Sequence, residues 1–272
     1  MSDATPQFAV SVRDQNRRAW DALVRKKQCF TTPAPDDDLR DPLGTADALG
    51  WLGGSVAGKR LLCLASGGGR QSALYASAGA EVTVVDLSPE MLALDRQVAA
   101  ERGLNIRVIE ASMDDLNALA DASFEIVLQP VSTCYLPDVR AVYREVARVT
   151  APGGLYLSQH KQPTSLQAAV GPSANGYEVI EPYYRCGPLP PVVGSRHREE
   201  GTVEFLHRWE DLIGGLCRCG FVIEDLVEPL LAKPDAAVGT FAHRCGYLPP
   251  YVRIKARRLG VQSSEPRIWL PG

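Results

Sequence analysis

Between residues 60 and 158, short apolar runs alternate with longer segments of helical periodicity. The runs at 60–64, 81–85, 106–110, 124–128 and 155–158 read as strands. Between them, 71–77, 89–102 and 139–149 read as helices. Ser88 suits the N-cap of the second helix, Pro89 its first position and Glu90 its first turn, and Gly103 stops it. Pro152, Gly153 and Gly154 make the turn into the fifth strand. Strands alternating with helices of this length imply a parallel sheet joined by right-handed crossovers. The fold class is therefore α/β, a doubly wound and mostly parallel sheet.

On either side the rhythm changes. Residues 13–27, with Val12 just before them, carry Ala19, Trp20, Leu23 and Val24 at helical spacing, which predicts an amphipathic helix. Trp20 either packs on the core or covers a pocket. Residues 30–44 read as a loop with a solvated acidic run, Asp36 to Asp38, and 47–51 as a short helix. Residues 161–202 are dense in proline and glycine, an irregular insertion at the carboxyl edge of the sheet, where substrate-shaping loops sit. A helix at 208–218, a stop at Gly220 and strands at 221–226 and 251–256 follow. The expected organisation is a helical cover (1–50), a core (51–160), a lid insertion after strand five (161–205), and the rest of the same domain (206–272).

Composition narrows the function. A net charge of -3 gives no case for nucleic acid or a membrane surface as partner, and no apolar stretch is long enough to span a bilayer. The N-terminus lacks a signal pattern, and seven cysteines without a CxxC pair read as free thiols in a reducing cytoplasm. His160, His197, His207 and His243 show no metal-ligand spacing, so no metal site is expected.

The candidate chemistry begins at Leu61–Ser72, LLCLASGGGRQS, where a strand breaks into Ala65, Ser66, Gly67, Gly68 and Gly69 before a helix. A glycine turn lets backbone approach a ligand, and the helix start offers unpaired N–H groups. Asp86, ending the second strand, suits the two hydroxyls of a ribose. A bound nucleoside follows. Ala65 in place of the first glycine, and Arg70-Gln71-Ser72 after the third, fit a dinucleotide poorly. The Ser112-Met113 pair after strand three, where an adenine edge would be read, and the 152–154 turn point instead to S-adenosylmethionine (SAM).

These motifs resemble the class I SAM-dependent methyltransferases over residues 55–160. That family reads roughly VLDLGCGTGRLS, an acid-ended strand, DAEDL, FDLV and KPGG; here stand LLCLASGGGRQS, VTVVDLSPEML, ASMDDL, FEIVLQP and APGG. The resemblance implies a Rossmann-like fold and SAM as cofactor. It places Ala65, Ser66, Gly67 and Gly69 along the methionine moiety and Asp86 on the ribose. Leu87 and Met91 would flank the adenine, or belong to the core, with Ser112 and Met113 reading its edge. Gln129 and Pro130 would line the sulfonium side. The chain departs at Cys63, where the family has an acid, at Ala65, and at Ser112, where the family has an acid that Asp114 either replaces or, as a solvated helix-start charge, does not.

Methyl transfer is an in-line displacement, and a base is needed only if the nucleophile must lose a proton. His160, ending strand five, is the candidate base, against a purely structural role at a strand end. Tyr135, after strand four, is the other catalytic candidate. Tyr183 and Tyr184 either stack on a flat substrate or pack within the insertion. The expected partner is a small, apolar or aromatic acceptor. The N-terminal NRRAWDAL and the closing PPYVRIKAR are similar to bacterial small-molecule methyltransferases, some relatives of which carbon-methylate indoles in secondary metabolism. Hydroxyl and amine acceptors stay open, as does the oligomeric state, a homodimer included. A nicotinamide-dependent oxidoreductase and a non-catalytic SAM-binding protein are the rival readings.

Overall fold

The computed structural model describes residues 6–28 and 30–260, with side chains from residue 11 onward. The chain begins with α1 (Pro6–Arg25), α2 (Pro42–Ala46), β1 (Arg60–Leu64), α3 (Gln71–Ser77), β2 (Glu81–Asp86) and α4 (Pro89–Arg102). It continues through β3 (Ile106–Glu110), β4 (Phe124–Gln129), α5 (Val139–Val149), β5 (Thr150–Lys161) and α6 (Pro163–Gln167). A π-helical turn, Glu210–Gly214, runs into α7 (Gly215–Arg218), followed by β6 (Phe221–Val227), α8 (Phe241–Cys245) and β7 (Tyr251–Arg258). One seven-stranded sheet results, in the order β3-β2-β1-β4-β5-β7-β6. Only β7 runs against its neighbours, pairing antiparallel with both β5 and β6.

The strand order reverses between β1 and β4, and the crevice at their carboxyl ends is where open α/β sheets bind ligands. Leu61 to Leu64 of β1 are completely buried, as expected for a strand covered by helices on both faces. Cys63 belongs to that core, and burial pushes its thiol well up, so it is a packing residue and no nucleophile. On one face α5 lays down Val142, Tyr143, Val146 and Val149, and Tyr156, Phe221 and Ile254 extend that core under β7. No described helix is long and apolar enough to cross a membrane.

Most predicted elements stand where the pattern puts them, and the exceptions have local causes. The short helix expected at 47–51 is displaced to α2. Asp41 caps α2 by accepting from the Gly44 N–H, while Asp47 ends it and accepts from the Trp51 and Leu52 N–H groups in a turn. The acidic run is not merely solvated. Asp36 pairs with Arg102 on α4 and Asp38 with Arg70 beside the glycine turn, each at 2.6 Å. The expected turn at Pro152-Gly153-Gly154 lies inside β5, where the register jumps from Phe124↔Thr150 to Ile126↔Leu155 and Gly153 takes φ +76°. A bulge there absorbs the extra residues.

Candidate active site

The glycine turn is held from below by two carboxylates. Gly67 N–H donates to Asp86 Oδ2 and Ser88 N–H to Asp86 Oδ1, both at 2.9 Å. A Cβ at residue 67 would meet Met91 Cβ at 2.8 Å and Asp86 Cγ at 3.1 Å, so only glycine fits. Burial raises the Asp86 carboxyl, while the N–H groups of Ser88, Gly67 and Leu87 pull it back. The second carboxylate, Asp95 of α4, was invisible to the motif. It accepts from Gly68 N–H (2.9 Å), Gly69 N–H (3.1 Å) and the Ser72 hydroxyl, and burial raises it to about 6. Ala65 is the strained position: it has φ +48°, a conformation that glycine adopts without a Cβ penalty.

Above the turn lies a cavity of about 370 Å³. Its wall includes Ala65, Ser66, Gly67, Asp86, Leu87, Met91, Ser112, Met113, Pro130, Tyr135 and Trp20, eleven of the residues the sequence nominated. Trp20 meets Tyr135 edge to face at 5.8 Å, so it both packs and covers. Arg13, Asn16, Phe30, Gln159, Glu199 and Tyr251 also line it and were not foreseen. Ser66 is part of this wall, and its buried hydroxyl has no hydrogen-bond partner among the described residues. An unpaired buried hydroxyl beside a Cβ-free turn and a ribose-ready carboxylate fits a bound nucleoside.

The remaining nominees stand elsewhere. Gly69 lies behind the wall, where a Cβ would press on Leu94 O at 3.0 Å, so its role is helix–turn packing. Asp114 does not reach the cavity, because its carboxylate is engaged by Arg13 and the Ser112 hydroxyl. Gln129 is spent behind the cavity: its amide donates to Met113 Sδ and Ser132 Oγ and accepts from Tyr156 Oη. His160 cannot serve as the base. It is fully buried outside the cavity, with Nδ1 paired to Thr133 Oγ1 at 2.9 Å and Nε2 to Ser158 Oγ at 2.8 Å. Burial, aided by His207, lowers its ionisation to about 3, leaving a neutral structural ring. Tyr183 and Tyr184 line neither cavity and take the packing alternative, meeting edge to face at 5.4 Å within the insertion. Tyr183 Oη accepts from the Trp209 N–H, and Tyr184, three-quarters exposed, lies under Arg208.

A second cavity, of about 1440 Å³, abuts the first and shares Phe30, Gln159, Glu199 and Tyr251 with it. α1 supplies one side through Ala19, Ala22 and Leu23, and the insertion supplies the other through 194–201. At the shared wall Tyr135 Oη donates to Glu199 Oε2 at 2.7 Å, and Lys161 Nζ donates to the same oxygen at 2.7 Å. Lys161 also reaches Glu204 Oε1 at 2.6 Å, and Arg198 closes the row on Glu204 Oε2. Burial alone would raise the Glu199 carboxyl; Lys161, with the contacts to Tyr135 and Glu204, outweighs it and holds the group below its ordinary range. The insertion thus contributes a charged partner, where the sequence suggested stacked tyrosines.

Comparison with known proteins agrees with this architecture. A family profile described as a methyltransferase domain matches residues 62–158. The Bacillus subtilis protein named uncharacterized methyltransferase YbaJ is 34% identical over 177 residues, covering 64% of this chain and 69% of that protein. The ubiquinone biosynthesis O-methyltransferase of Xanthomonas euvesicatoria pv. vesicatoria is 35% identical over 117 residues, and the chain spans about half the length of that relative. The crystal structure of an S-adenosylmethionine-dependent methyltransferase from Mesorhizobium loti superposes with a TM-score of 0.62 at 25% identity, over 80% of this chain and all of that one. With the sheet order, the glycine turn over Asp86 and the relative spanned over more than two thirds of its length, the chain belongs to the class I SAM-dependent methyltransferases.

Proposed function

We propose that this protein transfers a methyl group from SAM to a hydroxyl of a small molecule. The observation that carries the reading is the pair of abutting cavities, one built on the glycine turn and Asp86, the other between α1 and the insertion. A two-substrate displacement needs this arrangement, because both reactants must be held in line with water excluded. SAM, when bound, supplies a methyl group on a sulfonium. Asp86 would hold the ribose hydroxyls, Leu87, Met91 and Met113 the adenine, and the unpaired Ser66 hydroxyl a polar group of the methionine part.

The larger cavity argues for the acceptor. Leu23, Phe30, Leu231 and Phe241 give it an apolar surface that suits an aromatic or aliphatic body. Its cations, Arg18, Lys26, Arg196, Arg198 and Arg253, outnumber Asp14, Glu199 and Glu200, which favours an acidic substituent over a cationic one. The names of the O-methyltransferase relatives favour oxygen over carbon or nitrogen as the methylated atom.

Asp86 supplies the test. Substituting Asp86→Ala removes the ribose partner and the acceptor of both the Gly67 and Ser88 N–H groups. SAM affinity by calorimetry should fall roughly 100-fold, the weight of one or two charge-assisted hydrogen bonds. Unchanged affinity would sink the assignment. A labelled-methyl screen over hydroxylated metabolites, with the product atom located by mass spectrometry, identifies the acceptor.

A further inference from the structure

The row Tyr135, Glu199, Lys161, Glu204 and Arg198 is a charge cluster that starts at the edge of the smaller cavity and runs away from it, since Lys161, Glu204 and Arg198 do not line that cavity. Its two glutamates are used differently. Glu204 is fully buried, with Lys161 on one oxygen and Arg198 on the other, and is complete as a structural counter-ion. Glu199 lines both cavities, and its two donors, Tyr135 Oη and Lys161 Nζ, converge on Oε2, so Oε1 takes neither. A carboxylate at the wall between two substrate cavities, fixed through one oxygen, is built to present the other. Resting on the O-methyl reading, we propose that Glu199 is the catalytic residue that accepts the acceptor's hydroxyl proton, with Tyr135 and Lys161 positioning it.

The step balances. An oxygen lone pair of the acceptor forms the O–CH₃ bond while the CH₃–S bond breaks and sulfur keeps its electron pair. The hydroxyl proton passes to Glu199, then to water in the larger cavity. The positive charge lost at sulfur matches the negative charge lost at Glu199, so the site's net charge is conserved. The acceptor oxygen becomes strongly acidic as the new bond forms, so a carboxylate held ionised by Lys161 is base enough.

Glu199→Gln tests this with two probes, 4-methylphenol, which keeps its proton at neutral pH, and 4-nitrothiophenol, which is already deprotonated there. Transfer to the phenol should fall by about 10²-fold or more, while transfer to the thiol stays within about threefold and shows that the variant is folded and loaded. Tyr135→Phe should give a smaller loss confined to the phenol. Apart from turnover, 4-nitrophenol bound to the S-adenosylhomocysteine complex should ionise at lower pH in Glu199→Gln than in the wild type, because the resident negative charge is gone. Equal losses on both probes, no loss on either, or an unmoved nitrophenol titration would overturn the proposal. So would a wild-type protein that methylates the thiol alone or neither probe. Calorimetry with SAM decides the parent reading separately.

Discussion

Asp95 shows how much of a nucleotide turn is decided by a single side chain that the motif does not contain. Three donors converge on it, yet burial wins and its carboxyl rises from 3.8 to about 6. The native state therefore holds the proton more tightly than the unfolded chain. The stability this confers is full below pH 3.8 and disappears as pH rises through about 6. A shift of this size corresponds to roughly 3 kcal/mol. Comparing the wild type with Asp95→Asn by denaturant unfolding at several pH values isolates it. The wild type should gain on the variant by roughly 2 kcal/mol between pH 6.5 and 4, and a constant difference would refute the account. Asp86 could be read in the sequence because it ends an apolar run. Asp95 could not, because its partners are 23 to 27 residues away and inside a helix it looks like any surface charge. Glu199 escaped for a related reason: the proline-rich insertion has no period from which to infer what faces what.

At the scale of elements, α1 is the part whose placement matters most and whose sequence says least about it. Its amphipathic pattern announces a helix but not the surface beneath. The structure supplies that surface by polar anchors: Arg13 to Asp114, Asp21 to the Ser88 hydroxyl at 2.6 Å, Arg25 to Glu90, and Asn16 to two loops at once. Asn16 donates to Tyr135 O at 2.8 Å and accepts from Val203 N–H at 2.7 Å, so it ties the cover to both the turn after β4 and the insertion. These long-range side-chain bonds leave no periodic trace, whereas the strands and α3 to α5 were legible from apolar runs and local cap residues such as Ser88 and Gly103. Asn16→Ala strands buried backbone groups and should destabilise the cover by about 2 kcal/mol. Hydrogen exchange should show faster opening of α1 with β1 and β4 unchanged, and SAM should restore part of the protection. Uniform loss across the sheet would mean that α1 is integral to the core and not a docked cover.

For the whole molecule, the division of labour between the two cavities is the claim most open to test. The sheet's switch point fixes one cavity, so residues between 65 and 135 supply most of its wall, with α1 and the insertion adding to it. The other exists only because α1 and the insertion face each other across the end of the sheet. Ala22, on α1, lines the larger cavity and not the smaller. A tryptophan at this position adds an indole to a space of about 1440 Å³ without touching the glycine turn or Asp86. Ala22→Trp should therefore leave the SAM dissociation constant within about twofold, since none of the cofactor's partners moves. The KM of the acceptor should rise at least about tenfold, which corresponds to roughly 1.4 kcal/mol of lost binding. If acceptor and cofactor instead shared one continuous site, both constants would shift together. If the acceptor entered from elsewhere, neither would move, and the face between α1 and the insertion would have to be given another purpose.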